Sequence, residues 1–258
     1  MTEIEKLKQE IKILKQKLLI AESWMQKSIK EEVKKISKKK INKMTSGVKE
    51  SFMQENIEDI ITTQINKFFG EFILMNTPVG VIDNIISGEI NYYNFRQNPS
   101  FDGFSVISSY HKAIDVIIES VIIKGFRKFS KKQNQTILRK NDPLEKTLHM
   151  VVNKNYILSI GRLFHILILI KNNDILYDYG KTFKNYLEKY TYLKDVLLDD
   201  KFLKVFEEIV SSEIFGKKRH TGNISFDETK KARELITGEF KNIDSLIYML
   251  LKTQEIDY

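Results

Sequence analysis

The chain has 258 residues, 42% of them hydrophobic and 29% charged, with a formal net charge of +8, three prolines and no cysteine. That length can bury one sizeable core or two modest ones. The missing cysteines exclude disulfides and thiolate metal sites, and scarce proline leaves long stretches free to be helical.

Residues 1–45 carry 13 Lys against 6 Glu, with no Arg or Asp, so their net +7 is nearly all of the chain's excess charge. Such asymmetry predicts an appendage with its own electrostatic role. Charged residues from Glu3 onward argue against a signal peptide. The most apolar run, 156–170, is too short for a membrane span and carries Arg162 and His165. The expectation is a cytoplasmic protein with no membrane segment.

Ile4, Leu7, Ile11, Leu14, Leu18, Ala21 and Met25 recur at spacings of three and four, which is a coiled-coil seam. Ile at the first two a positions and Leu at the first two d positions favour two parallel strands. The pairs Glu3–Lys8, Glu10–Lys15 and Lys17–Glu22 are all opposite in sign, as a parallel dimer requires. The seam therefore predicts self-association through Ile4, Leu7, Ile11, Leu14 and Leu18. Ile13, Leu19 and Ile20 lie off the seam, which leaves open a helix packed on its own domain.

The same helix continues with Lys27, Lys30, Lys34, Lys35, Lys38, Lys39, Lys40 and Lys43 against only Glu31 and Glu32. A solvated face is one reading. The other is a phosphate-binding stripe for the backbone of DNA or RNA, independent of sequence and sensitive to salt. No aromatic residue interleaves with these lysines, so base stacking is not indicated. Thr45, Ser46 and Gly47 break the pattern.

The body reads as successive helices. Residues 52–75 are amphipathic, with Ile57, Ile60, Ile61, Ile65, Phe68, Phe69 and Phe72 on one face. A short helix over 79–90 precedes an asparagine-rich loop at 91–104, where Tyr92, Tyr93 and Phe95 pin the chain to the core. A strong helix over 105–129 has Ser105 as its N-cap. Asp142 and Pro143 open the next helix, and another spans 158–170. Tyr177, Tyr179, Phe183, Tyr186, Tyr190 and Tyr192 form an aromatic stripe of the core or an interface. Helices at 202–215, 227–236 and 244–251 complete the chain, with Ser225 and Glu228 spaced as a capping box. No strand signal competes, and the predicted class is all-α. Three parts are expected: a basic coiled-coil arm at 1–46, a helical connector at 47–103 and a helical bundle at 104–258.

Few residues carry the marks of chemistry. There is no Gly-rich phosphate loop, and none of the four histidines pairs with another at metal spacing, so neither metal nor cofactor is expected. Adjacent Asp199 and Asp200, and Glu207 and Glu208, read as surface charge. His111 and His149 read as structural residues. Arg162 and His165 share a face of an apolar helix, where they would need partners. That leaves Lys217, Lys218, Arg219 and His220. Like charge around His220 favours a neutral imidazole able to act as a general base, and the cations would attract a phosphodiester. A basic interhelical loop with a locally bonded His is the alternative.

Several segments, in order, resemble a family. Residues 104–115 (FSVISSYHKAID), 125–129 (GFRKF), 144–148 (LEKTL), 219–225 (RHTGNIS) and 231–235 (KAREL) are similar to stretches of the HEPN-like helical domains of bacterial defence and toxin systems. The likeness covers about 104–240. Active members of that family are metal-independent ribonucleases, whose Arg, often followed by Asn, precedes the His by a few residues. Here His220 is kept, while the Arg positions hold Glu213, Ile214 and Phe215 and the Asn position holds Gly216. The resemblance thus implies a degenerate, non-catalytic domain in an anti-phage or toxin-type complex, with a protein partner. Contact with nucleic acid would come through the Lys27–Lys43 stripe, with Lys217, Lys218 and Arg219. An active ribonuclease using His220, and a pure protein-interaction adaptor, are the alternatives.

Overall fold

The computed structural model describes residues 49–98, 102–133, 142–174, 176–216 and 218–253. The seam at Ile4, Leu7, Ile11, Leu14 and Leu18 and the stripe from Lys27 to Lys43 lie outside the described residues. Every regular element described is helical, as the sequence predicts. None is long and apolar enough to cross a membrane.

The first element, α1, spans Lys49–Asn76 and is broken at Gly70, whose φ of 73° and ψ of 165° only glycine adopts readily. No atom lies within 4 Å of a Cβ built at Gly70, so conformation rather than crowding requires glycine there. From Ile57 onward the chain forms one compact unit. Ile61, Ile65, Phe69 and Ile73 face its core, at the four-residue spacing of one helix face. Ile60 and Phe72, expected on that face, are exposed instead.

Helix α2 spans Val81–Gln97. The predicted loop at 91–104 is therefore helical through its first half. Tyr92 and Phe95 continue the buried row begun by Val81, Ile85 and Glu89, while Asn91 and Asn94 stay outside the core. Helix α3 spans Phe104–Ile117 and buries Val106, Ile107, Tyr110, Ala113, Ile114 and Ile117 completely. Each such Ile contributes roughly 1.5–3 kcal/mol by leaving water. Ser105 is not its cap. Gly103 holds that position, and the Asp102 carboxylate accepts from Phe104 N–H at 3.0 Å. Gly88 lets α2 and α3 approach closely, since a Cβ there would sit 2.6 Å from the Tyr110 ring.

The predicted single helix over 105–129 is a continuous run with a wider turn inside it. A π-helical segment, Ile118–Ile123, joins α3 to α4, Lys124–Lys131. One carboxyl oxygen of Glu119, in that turn, accepts from Arg127. Arg127 also donates to the carbonyls of Val151, at 2.8 Å, and Tyr156, at 3.0 Å.

Helix α5, Pro143–Lys154, starts as predicted, with Asp142 accepting from Glu145 N–H. Helices α6 (Ile160–Lys171), α7 (Asp178–Lys189), α8 (Thr191–Leu197) and α9 (Asp200–Ser211) follow. Tyr179, Phe183 and Tyr186 of α7 are buried, so the aromatic stripe belongs to the core. Glu145 is fully buried and caps α7, its two oxygens accepting from Tyr179 and Gly180 N–H at 2.8 Å each. Burial raises its carboxyl above the ordinary range, against the pull of those two bonds. Asp199 is exposed, as expected of surface charge, and also caps α9 by accepting from Lys201 and Phe202 N–H. Arg162 and His165 are exposed on α6 rather than buried, with Arg162 bonded to the Thr147 hydroxyl. A single turn, α10 (Lys218–Thr221), leads to α11 (Phe226–Thr237), a 3-10 turn (Gly238–Phe240) and α12 (Leu246–Lys252). Helices from both sides of residue 103 share one core.

Candidate functional site

The basic stretch that the sequence singles out lies in a short joint between α9 and α11. Residues 213–216 form a turn after α9, in which Ile214 and Phe215 are buried. Phe215 stacks on His111, with ring centroids 5.9 Å apart, and His111 pairs with Asp115 one turn along. Ile214 and Phe215 are thus anchored in the core, while Glu213 and Gly216 are exposed. Lys217 lies outside the described residues, as do the side chains of Arg219 and His220. Their backbone belongs to α10.

Beyond α10 the chain is held by Asp102. Its carboxylate accepts from Asn223 N–H at 2.7 Å, Ile224 N–H at 2.9 Å and Phe104 N–H. Gly103 N–H returns a bond to the Ile224 carbonyl at 2.9 Å. Some burial opposes the Asp102 charge, but these three N–H donors outweigh it and lower its pKa. Gly222 and Asn223 both have positive φ, at 73° and 67°. A Cβ at Gly222 would lie 2.7 Å from the Asp102 carboxylate. The Gly-Asn pair therefore makes a left-handed corner that lets the approach to α11 be clasped by Asp102 at the start of α3.

Ser225 then caps α11 through the full capping box. Its hydroxyl accepts from Glu228 N–H, and the Glu228 carboxylate accepts from Ser225 N–H. Lys218 bonds the same carboxylate. That bond comes first among the causes that pull Glu228 from its ordinary 4.5 to about 2, followed by the Ser225 bonds. It also raises Lys218. Lys218 is thereby tied to the fold.

A second constellation has no counterpart among the sequence-predicted site residues. Glu89 of α2, Tyr110 of α3 and Arg233 of α11 are all buried, and Tyr110 and Arg233 both bond Glu89. Arg233 donates through Nε and Nη2 to both Glu89 oxygens at 2.9 to 3.1 Å, and through Nη1 to Glu239 at 3.0 Å. The Tyr110 hydroxyl donates to Glu89 Oε1 at 2.5 Å. The Arg233 guanidinium lies 4.7 Å over the Tyr92 ring, and Tyr92 stacks on Phe226 at 5.8 Å. Burial disfavours the Arg233 charge, but the Glu89 bonds prevail and raise its pKa. Burial raises both tyrosines above their ordinary 10. Beside this cluster opens a cleft of about 550 Å³, lined by Arg96, Lys230, Gln64 and Tyr93 as well as Glu89, Tyr92, Arg233 and Glu239. Glu89 and Arg233 are 144 residues apart. Their one sequence signal is a charge at a core position of each helix, Glu89 in the row of Ile85 and Tyr92, and Arg233 beside Ala232 and Ile236.

Comparison with protein-family models, curated proteins and solved structures yields no match. Among the described residues, no group of three His, Asp or Glu side chains is arranged to hold a metal ion.

Proposed function

We propose that the chain is a non-catalytic, nucleic-acid-binding and scaffolding component of a bacterial anti-phage or toxin-type defence complex. The supporting observation is that Ile214 and Phe215 are buried in a turn at the positions where the resembled ribonucleases carry their Arg. Around it, the Asp102 clasp and the Ser225–Glu228 box give the retained Gly-Asn-Ile-Ser sequence a structural duty. The defence setting rests on the family resemblance. Phosphate contact is assigned to the Lys27–Lys43 stripe, because that segment holds most of the chain's excess positive charge.

Binding of this kind is read from its salt dependence. Fluorescence anisotropy of labelled single-stranded RNA and duplex DNA is measured from low to high salt. Each phosphate contact contributes roughly 0.7 to 0.9 to the slope of log affinity against log salt. Changing Lys34, Lys35, Lys38 and Lys39 to Gln is expected to reduce that slope by about 3. Absent binding, or binding flat with salt, contradicts the proposal and favours a pure protein adaptor.

A further inference from the structure

Arg162 and His165, set one turn apart on α6, have no part in that reading. Both line a cleft of about 540 Å³ between α6 and the start of α5. That volume falls within the few hundred to one thousand Å³ of small-molecule sites. Leu144 and Leu169 supply apolar lining, and Tyr177 supplies an aromatic face. All three are half-buried, so part of their apolar surface meets solvent.

The cationic group is Arg162. Its Nη1 donates to the Thr147 hydroxyl, which in turn donates to the Pro143 carbonyl at 2.8 Å. Those two bonds hold the guanidinium against the first turn of α5. The Nε and Nη2 edge of Arg162 has no partner among the described residues. That edge is a two-donor fork, shaped to meet both oxygens of a carboxylate. Arg233 uses the same edge to hold Glu89. His165 adds a ring nitrogen one turn along the same face of α6.

The anionic group is Asp142. One of its oxygens accepts from Glu145 N–H at 2.9 Å, as the cap of α5. The other oxygen has no partner among the described residues, and the side chain lines the cleft. It can accept from an ammonium group. Asp142 and Arg162 form no ion pair with each other, although Arg162 reaches the residue after Asp142 through only two hydrogen bonds. One charge of each sign beside an apolar lining matches a zwitterion with an apolar body, rather than a simple anion or cation.

We propose that this cleft binds a free amino acid with an apolar side chain of leucine or phenylalanine size. Its carboxylate is held by the Arg162 fork and His165, its ammonium by Asp142, and its side chain by Leu144, Leu169 and Tyr177. The test is calorimetric titration of the full chain with leucine and with phenylalanine. Separate arms use the matching acids that lack the amine, isocaproate and hydrocinnamate, and the matching amines that lack the carboxylate, isoamylamine and phenethylamine. At least one amino acid is expected to bind about tenfold or more tightly than either of its partial analogues. Asp142→Asn keeps a good helix cap and removes the charge. It is expected to weaken binding about tenfold at an unchanged melting temperature, the loss of one charge-assisted contact. Arg162→Gln is expected to do the same. Arg162→Lys keeps the charge without the fork and should recover little of the affinity. Lys112→Gln, an equal change of charge at an exposed position outside the cleft, is expected to leave affinity unchanged. The proposal is overturned by absent binding, by a partial analogue binding as tightly as its amino acid, or by affinity that Asp142→Asn and Arg162→Gln leave intact.

Discussion

Arg233 makes a bidentate pair with Glu89, a third bond to Glu239 and a stacked contact with Tyr92, all in the interior. Removing it strands a buried carboxylate whose only remaining described donor is the Tyr110 hydroxyl. Arg233→Met is therefore expected to lower unfolding free energy by about 3–5 kcal/mol in urea titrations. Adding Glu89→Leu should recover part of that loss, because the stranded charge goes with it. A double variant less stable than the single one would contradict this assignment. Glu228 belongs to the same scale. Its folded pKa is depressed from 4.5 to about 2, so the stability it contributes is present above pH 5. That contribution is lost as pH falls from about 5 to 2. Wild type should lose more stability over that window than Glu228→Gln, whose side chain does not titrate, and equal losses would refute the effect. Neither Glu89 nor Arg233 could be paired from the sequence, since nothing local links residues 144 apart. The Ser225–Glu228 box was legible because both partners lie within one turn.

At the level of elements, apolar periodicity locates most helices of the described chain but leaves α7, α8 and α10 unassigned as helices, and its other mistakes have physical causes. Asn91, Asn94 and Asn98 read as loop signals, yet Tyr92 and Phe95 supply enough buried surface to carry α2 through to Gln97. The π turn at Ile118–Ile123 inserts into an unbroken apolar pattern, so a continuous 3.6-residue period hides it. Asp199 is exposed surface charge as expected, and it also satisfies free N–H groups at the start of α9. Contact between α2 and α3 depends on Gly88, because the Tyr110 ring lies where a Cβ would go and that ring is itself buried. Gly88→Ala should displace Tyr110 from Glu89 and cost about 1–3 kcal/mol. A thermal melt identical to wild type would show that the two helices part freely.

For the whole molecule, charge and packing are divided along the chain. The first 45 residues hold nearly all the excess positive charge. The unit from Ile57 onward is a shared helical core whose joints are clasped by Asp102, Glu145, Arg127 and Arg233. The segment at 213–225 lies at one of these joints, anchored by the buried Ile214 and Phe215. The measurement that bears most directly on the non-catalytic reading is RNA turnover. Purified full-length chain and His220→Ala are incubated with end-labelled RNA, without added metal, and the products are resolved on a denaturing gel. The expected result is intact RNA with both proteins, at concentrations where the wild type binds it. Cleavage by the wild type that disappears in His220→Ala would contradict the account and restore an active ribonuclease.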